Sequence, residues 1–385
     1  MNIKSLLKNV AVKLENVNDN DFKIPAKRQK RILAKFPEPR DDIERSYFQY
    51  CCQMCYYNAF LRVLINIVSA PLVVLFWIKR NNPAEKSQCD AIFFADGKPD
   101  TIIPEELRNK IGFIKTIDEK KEYLTKKDRN FFLGLIKRYP LSFHFLLKCL
   151  LKLRFYSYEI QKADPKYIIV CNEYSFTSSF MTRYCEDNGI AHINVMHGEK
   201  YFYIRDSFFR FNECYVWDSY YIDLFKELRV EPGQFKTAVP PSLKIHSDAG
   251  KDCDYTYYLT VECGEKIKRI ITALKQISQK GYRTAVRPHP RYSNIKEIRM
   301  LADGIEIEDS NIISIDDSLG RTKNAVSLYS TVLNQAYNSN VGIVIDDVSD
   351  PKRFSLLDEF EYIMLKKEHK LLSDILEELK CKSSE

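Results

Sequence analysis

The stretch Tyr282 to Arg291, YRTAVRPHPR, holds the residue types best suited to chemistry in this chain. It opens like a buried strand and ends in Arg287, Pro288, His289, Pro290 and Arg291. Two prolines forbid a continuing ladder and also an α turn, so the backbone must leave a sheet here with His289 at the carboxyl end of the strand. Open α/β sheets bind ligands at that end. An imidazole between two arginines, held by a stiff backbone, suits an anionic leaving group such as a nucleotide phosphate. Without a partner segment, the same five residues also read as a proline-terminated strand with a solvated basic loop.

Two further segments are expected at the same edge. One is Thr260 to Gly264, TVECG, a strand end running into a helix start, with Thr260 and Glu262 offering polar groups. The other is Ser327 to Thr331, SLYST, just before a helix expected over Ser330 to Asn338. Hydroxyls of Ser327, Ser330 and Thr331 beside free helix amides form an anion site that needs no metal, although N-capping explains such residues equally well when taken alone. Neither GxGxxG, GxxxxGK[ST] nor HExxH occurs in a matching context, which removes the support for dehydrogenase, P-loop and zinc-protease chemistry. The pair Asp346 and Asp347 ends a strand with its carboxylates on opposite faces, which fits a strand terminus or a ribose contact better than a metal.

The elements that must position these groups alternate. In the first half, strands are expected at Asp90 to Asp96, Tyr167 to Cys171, Ala191 to Met196 and Cys214 to Trp217. Helices are expected across Arg129 to Lys162, Ser175 to Asn188 and Ser219 to Leu228. Residues 231 to 254, rich in Pro, Gly and charge, read as a linker, giving domains 1–240 and 241–385. The second half restarts with strands at Tyr255 to Thr260, Arg283 to Arg287, Ile305 to Glu308, Ile312 to Ile315 and Val341 to Ile345, and a strand-like Tyr362 to Leu365. Helices at Glu265 to Lys280, Asn294 to Ala302, Ser330 to Asn338 and Leu371 to Leu379 lie between and after them. Such alternation predicts an α/β chain of two doubly wound, Rossmann-like domains facing a central cleft.

Composition bounds the rest. The 385 residues suffice for two such domains, and 45% hydrophobic with 29% charged residues is globular. A net charge of +7, dispersed along the chain, fits an acidic ligand or an anionic membrane surface better than nucleic acid. The start lacks an apolar leader core, which points to the cytosol. Eleven cysteines, an odd number, read as buried thiols in a reducing compartment, and Cys52 with Cys55 as packing rather than a metal or redox pair. Lys27, Arg28, Lys30, Arg31 and Lys35 form a basic cluster able to meet lipid headgroups. Ala59 to Ile78 is apolar almost to the length of a membrane span, but Arg62, Asn66, Ser69 and Pro71 interrupt it. A core helix or an interfacial segment is therefore expected.

The proline-flanked His289, followed some forty residues later by Ser327, Ser330 and Thr331, resembles the HP and serine/threonine motifs of bacterial sialyltransferases and capsule Kdo transferases with the GT-B fold. The resemblance implies a metal-independent, inverting transfer from CMP-sialic acid to a galactose-type hydroxyl of a lipid-linked O-antigen or capsule oligosaccharide, on the cytosolic face of the inner membrane. It implies that His289, Pro290, Ser327, Ser330 and Thr331 hold the donor phosphate and that no cofactor is needed. The first half departs from the pattern: where those enzymes carry an acidic pair followed by Gly, this strand end reads Met196, His197, Gly198, Glu199. The general base is left among His197, Glu173 and Glu199, in that order. The His-Gly turn looks like that of CDP-glycerol and other polymer phosphotransferases, which keeps Kdo or polyol-phosphate transfer open. A non-catalytic membrane scaffold is the reading from a different class.

Overall fold

The computed structural model describes residues 21–381 except 83–85, 96, 118–120, 246 and 248–249. The residues on which the leader reading rests therefore lie largely outside the described part. The chain divides into two compact units. The first comprises residues 1–197 and 202–238; the second comprises 198–201 and 239–385.

Among the described residues of the first unit three α-helices, α1 (Ala26–Leu33), α2 (Asp42–Met54) and α3 (Ala59–Ile78), precede the sheet. Then follow β1 (Ala91–Phe94), α4 (Pro99–Ile102), α5 (Glu105–Lys110), β2 (Ile114–Thr116), α6 (Lys126–Arg138), α7 (Phe143–Ala163), β3 (Tyr167–Val170), α8 (Ser178–Glu186), β4 (Ala191–Val195), β5 (Glu213–Val216), α9 (Ser219–Glu227) and β6 (Phe235–Thr237). All neighbouring strands pair in parallel, in the order β2-β1-β3-β4-β5-β6. Parallel strands have both faces covered by helices, which is why Ala91, Phe93, Ile169 and Ile193 pack with Leu107 in one dry cluster.

The second unit runs β7 (Cys253–Tyr258), α10 (Glu265–Ser278), β8 (Thr284–Arg287), α11 (Ile295–Leu301), β9 (Glu306–Ile307), α12 (Ile315–Arg321), β10 (Thr322–Ser327), α13 (Thr331–Asn338), β11 (Gly342–Ile345), α14 (Pro351–Glu359), β12 (Lys370–Leu371) and α15 (Leu372–Cys381). Its six parallel strands are ordered β12-β11-β10-β7-β8-β9. The chain winds outward from β7 in one direction and from β10 in the other, so the topological switch lies between these two central strands. Both units are thus α/β and doubly wound, each in the Rossmann manner.

Several expectations are corrected. The run Ile312 to Ile315 is no strand: Ile312 is exposed and Ser314 caps α12, its hydroxyl accepting from the Asp317 amide at 3.0 Å. The central strand is instead β10, whose sequence TKNAVS has too little apolar pattern to announce itself. Residues 231–238 are not a linker, because β6 pairs there with β5 as the sheet edge. The helices expected across Arg129 to Lys162 are two, separated around Pro140, whereas Tyr362 to Leu365 is a buried helical turn rather than a strand. The core-helix reading of Ala59 to Ile78 fails, since only Ser69 and Val73 of α3 are buried. Every cysteine is a free thiol, and burial pushes those of Cys51 and Cys52 up.

His192 on β4 is enclosed by Tyr156, whose hydroxyl lies 3.0 Å from Nε2, and Thr182, whose hydroxyl lies 2.8 Å from Nδ1. Burial, with Lys152 adding to it, lowers its pKa to about 3. The unfolded chain therefore takes up a proton near the ordinary imidazole value while the fold refuses it, so stability falls as pH drops from about 6.5 toward 3, by about 1.4 kcal/mol per pH unit for this one site. Urea unfolding between pH 7 and pH 4.5 should show His192→Asn less stable than the parent at neutral pH, with an acid slope shallower by about one proton.

Candidate functional site

In the second unit β8, β7 and β10 lie side by side and end on one edge. Their continuations are the His289 corner, the Thr260 to Gly264 loop and the Ser327 to Thr331 turn. The outer two are separated by two interstrand spacings, roughly 10 Å at the strand ends, with the β7 loop between them.

The His289 corner is built from its own backbone. The His289 amide donates to Ser293 Oγ at 2.8 Å, and the Arg291 amide donates to His289 Nδ1 at 3.1 Å. A ring nitrogen that accepts carries no proton, so the neutral imidazole bears its hydrogen on Nε2. Partial burial and the neighbouring Arg291 hold the pKa below the ordinary imidazole value, against a weaker opposite pull from Glu262. The ring stacks on Tyr292 at 4.6 Å between centroids. His289 is half-buried and Pro290 and Arg291 are exposed. The corner thus offers a fixed N–H donor with a cation beside it.

Arg287 goes the other way. It is buried, 3.2 Å from the Glu308 carboxylate, and donates to the Ile313 carbonyl at 2.8 Å. Glu308 also accepts from the Ser318 hydroxyl. The positive charge expected to face a ligand is therefore used inside the fold. Ser327 is likewise fully buried, its hydroxyl donating to the Tyr258 carbonyl at 2.9 Å across the β10–β7 pair. Both departures have one cause: the last residue of a parallel strand still belongs to the sheet, and its polar group must be satisfied there.

Ser330 is the N-cap of α13 and accepts from the Val332 amide at 3.3 Å, while Thr331 is exposed at the first turn. The amides of that turn point out of the strand end. In the β7 loop, Glu262 takes the Thr260 amide at 2.6 Å and the Thr260 hydroxyl at 3.0 Å, and so braces the loop. The pair Asp346 and Asp347 is also occupied. Asp346 accepts from the Tyr257 hydroxyl at 2.6 Å and from the amides of Val348 and Ser349, and Asp347 accepts from the Ser373 amide at 3.0 Å at the start of α15. Among the described residues no group of three or more His, Cys, Asp or Glu side chains is gathered as for a metal ion.

The three base candidates lie in different settings. Glu173 follows β3 in the first unit, is buried, and accepts from Asn194 Nδ2 at 3.2 Å, while its carbonyl accepts from Gln49 at 2.9 Å. His197 follows β4 and is exposed, with Gly198 behind it at φ 83°, a left-handed turn that glycine enters without strain. Glu199 belongs to the second unit. Its carboxylate accepts from Asn334 Nδ2 on α13, and Asn334 Oδ1 in turn accepts from the buried Lys367 at 2.7 Å. Sequence reasoning missed Asn334 and Lys367, because nothing local marks a contact that residues 198–201 make more than a hundred positions downstream.

No family model matches the chain, and no curated protein does. Among solved structures it is similar to the lipopolysaccharide outer core galactosyltransferase WaaB in its apo form, at 10% identity and a TM-score of 0.41 over 67% of this chain and 80% of that one. It is also similar to a UDP-N-acetylglucosamine 2-epimerase from Rickettsia bellii, at 12% identity and 0.42 over 76% and 93%. A third likeness is to the wall teichoic acid polymerase TagF, at 10% and 0.40 over 83% and 88%.

Arg287 provides a test of what the edge is built from. Arg287→Met strands the buried Glu308 carboxylate and should cost about 3–5 kcal/mol in urea unfolding. Arg287→Met with Glu308→Leu should regain most of that loss. Ligand binding at this edge should be the same in the folded double variant as in the parent, which separates a structural arginine from a ligand arginine.

Proposed function

We propose that the chain is a metal-independent, inverting glycosyltransferase that moves sialic acid from CMP-sialic acid to a galactose-type hydroxyl of a lipid-linked O-antigen or capsule oligosaccharide. The observation that supports it most is the neutral His289 with its Nε2–H donor beside Arg291, on the strand next to the one that carries the topological switch. In this reading Nε2–H donates to a phosphate oxygen of the donor, and Arg291 adds charge that Arg287 does not supply. The helix amides and hydroxyls at Ser330 and Thr331 bind the same nucleotide from the other side of the β7 loop.

The transfer breaks the bond between the sugar carbon and the phosphate oxygen. The electron pair leaves with CMP, whose growing negative charge these fixed donors stabilise, while the acceptor oxygen forms its bond on the opposite face of the sugar. The acceptor's proton is assigned to His197, ahead of Glu173 and Glu199. It alone of the three is exposed, whereas the two carboxylates are already engaged by Asn194 and Asn334. The exposed imidazole on a glycine turn also favours one second reading, transfer of a polyol phosphate from a CDP donor, with His197 again as base. Kdo transfer would use the same edge with a different CMP-sugar.

Purified protein incubated in EDTA with CMP-sialic acid and galactose-terminated acceptors should release CMP. Release that is absent, or that depends on added metal, rejects the sialyltransferase reading, and turnover with CDP-glycerol in its place establishes the second one. Removing one positioned donor typically costs about 10²–10³ in turnover. His289→Ala should show that loss in kcat with an unchanged melting temperature, whereas full activity in this variant would remove the basis of either reading.

A further inference from the structure

The helix α3 carries a face that the described residues leave uncovered. At about 100° per residue, Phe60, Val63, Ile67, Val74 and Ile78 fall within an arc of about 60°, and Leu64 and Leu75 widen it to about 120°. These side chains are exposed along the whole helix, Phe60 by 76% and Ile67 and Ile78 by 62%. Twenty residues make a stripe about 30 Å long with no charged or hydrogen-bonding side chain in it. Soluble monomers rarely expose a contiguous apolar patch of that extent, and those that occur mark interaction surfaces.

The opposite face is fixed to the protein. Asn66 donates to the Leu141 carbonyl at 2.7 Å and accepts from the His144 amide at 3.1 Å. At the other end Arg129 donates to the Trp77 carbonyl at 2.6 Å, and the buried Arg154 donates to the Phe76 carbonyl at 2.6 Å. A helix long and apolar enough to cross a bilayer is thus held lengthwise against α6 and α7, and crossing would strip Arg154 of these partners.

We propose that this face of α3 lies in the plane of an anionic phospholipid surface. The charge around it carries the choice of occupant. No Asp or Glu occurs between Arg45 and Ala84. At the foot of the helix the exposed Arg28, Lys35 and Arg62 all act on the Cys55 thiol, which puts one cation of α1 and one of its following turn near the start of the stripe, while Lys30 of α1 pairs with Glu227 at 3.1 Å. The exposed Lys79 and Arg80 close its other end. A second copy of the chain fits less well, because pairing two such stripes in either direction sets cation against cation, and an aliphatic face without a polar rim gives no register. An apolar stripe flanked by cations is what an anionic interface takes up, the hydrocarbon receiving the side chains and the headgroups the charges. This inference is independent of which donor the chain uses.

Sedimentation of the full chain with phosphatidylcholine vesicles, with and without phosphatidylglycerol, tests it. The parent should co-sediment with the anionic vesicles, and less so as salt is raised. Ile67→Glu with Val74→Glu alters only exposed positions and should weaken binding about tenfold or more, while the melting temperature stays within a degree or two. Arg28→Glu with Lys35→Glu should remove the preference for anionic over neutral vesicles. The proposal is overturned if the parent does not bind anionic vesicles, or if the apolar variant binds as the parent does. It is overturned equally if sedimentation velocity shows a parent dimer that the apolar variant makes monomeric, with no vesicle binding in either.

Discussion

A parallel ladder delivers every strand end to one edge, and in the second unit that constraint decides which residues can work together. β8, β7 and β10 pair in register, so residues some thirty to seventy positions apart in sequence come out within two strand spacings of one another. The corner after β8 then turns because its prolines cannot pair, and the turn after β10 becomes a helix start because Ser330 caps it. Which polar groups stay accessible at this edge follows from where the ladder ends, not from any single motif.

The same ladder also removes candidates. A polar side chain on the last residue of a strand is still inside the sheet, and burying it unsatisfied would cost more than any weak ligand contact returns. Arg287 is consumed by Glu308, and Ser327 by the Tyr258 carbonyl. Asp346 is consumed by Tyr257 and two amides. Two to four residues further along the outcome reverses. His289, Arg291, Ser330 and Thr331 sit beyond the last paired position, and their polar groups are half-buried or exposed. The boundary between polar groups used inside the fold and polar groups left accessible at this edge is two or three residues wide.

That boundary explains what could be read from the sequence. The two doubly wound halves were legible, because runs such as YIIV and GIVI between capped helices leave few other arrangements. The proline corner was legible because proline acts on its own backbone. β10 was not: TKNAVS owes its strand to neighbours on both sides rather than to its own pattern, and the more apolar NIISI beside it drew the prediction away. The direction of Arg287 was not legible either, since Glu308 lies on another strand end. Nor was the placement of Glu199 against Asn334 and Lys367, a contact made by a short segment that leaves the first unit's sheet and joins the second unit.

The apolar run from Ala59 to Ile78 shows the same limit from the other side. Its hydropathy is equally that of a core helix, a membrane span or a surface helix, and the sequence carries no term that separates them. What separates them is the partner of each polar interruption. Asn66 and Ser69, which looked like defects in a span, face the protein: Asn66 bonds to the segment before α7, and the Ser69 hydroxyl donates to the Ile65 carbonyl at 2.7 Å. Pro71 lies on the outer side, exposed, where it interrupts nothing that packs. Sorting the polar residues to one side and the aliphatic ones to the other turns a run that is apolar all round on paper into a helix with two distinct faces. The outer face is left for a surface that the other described residues do not provide.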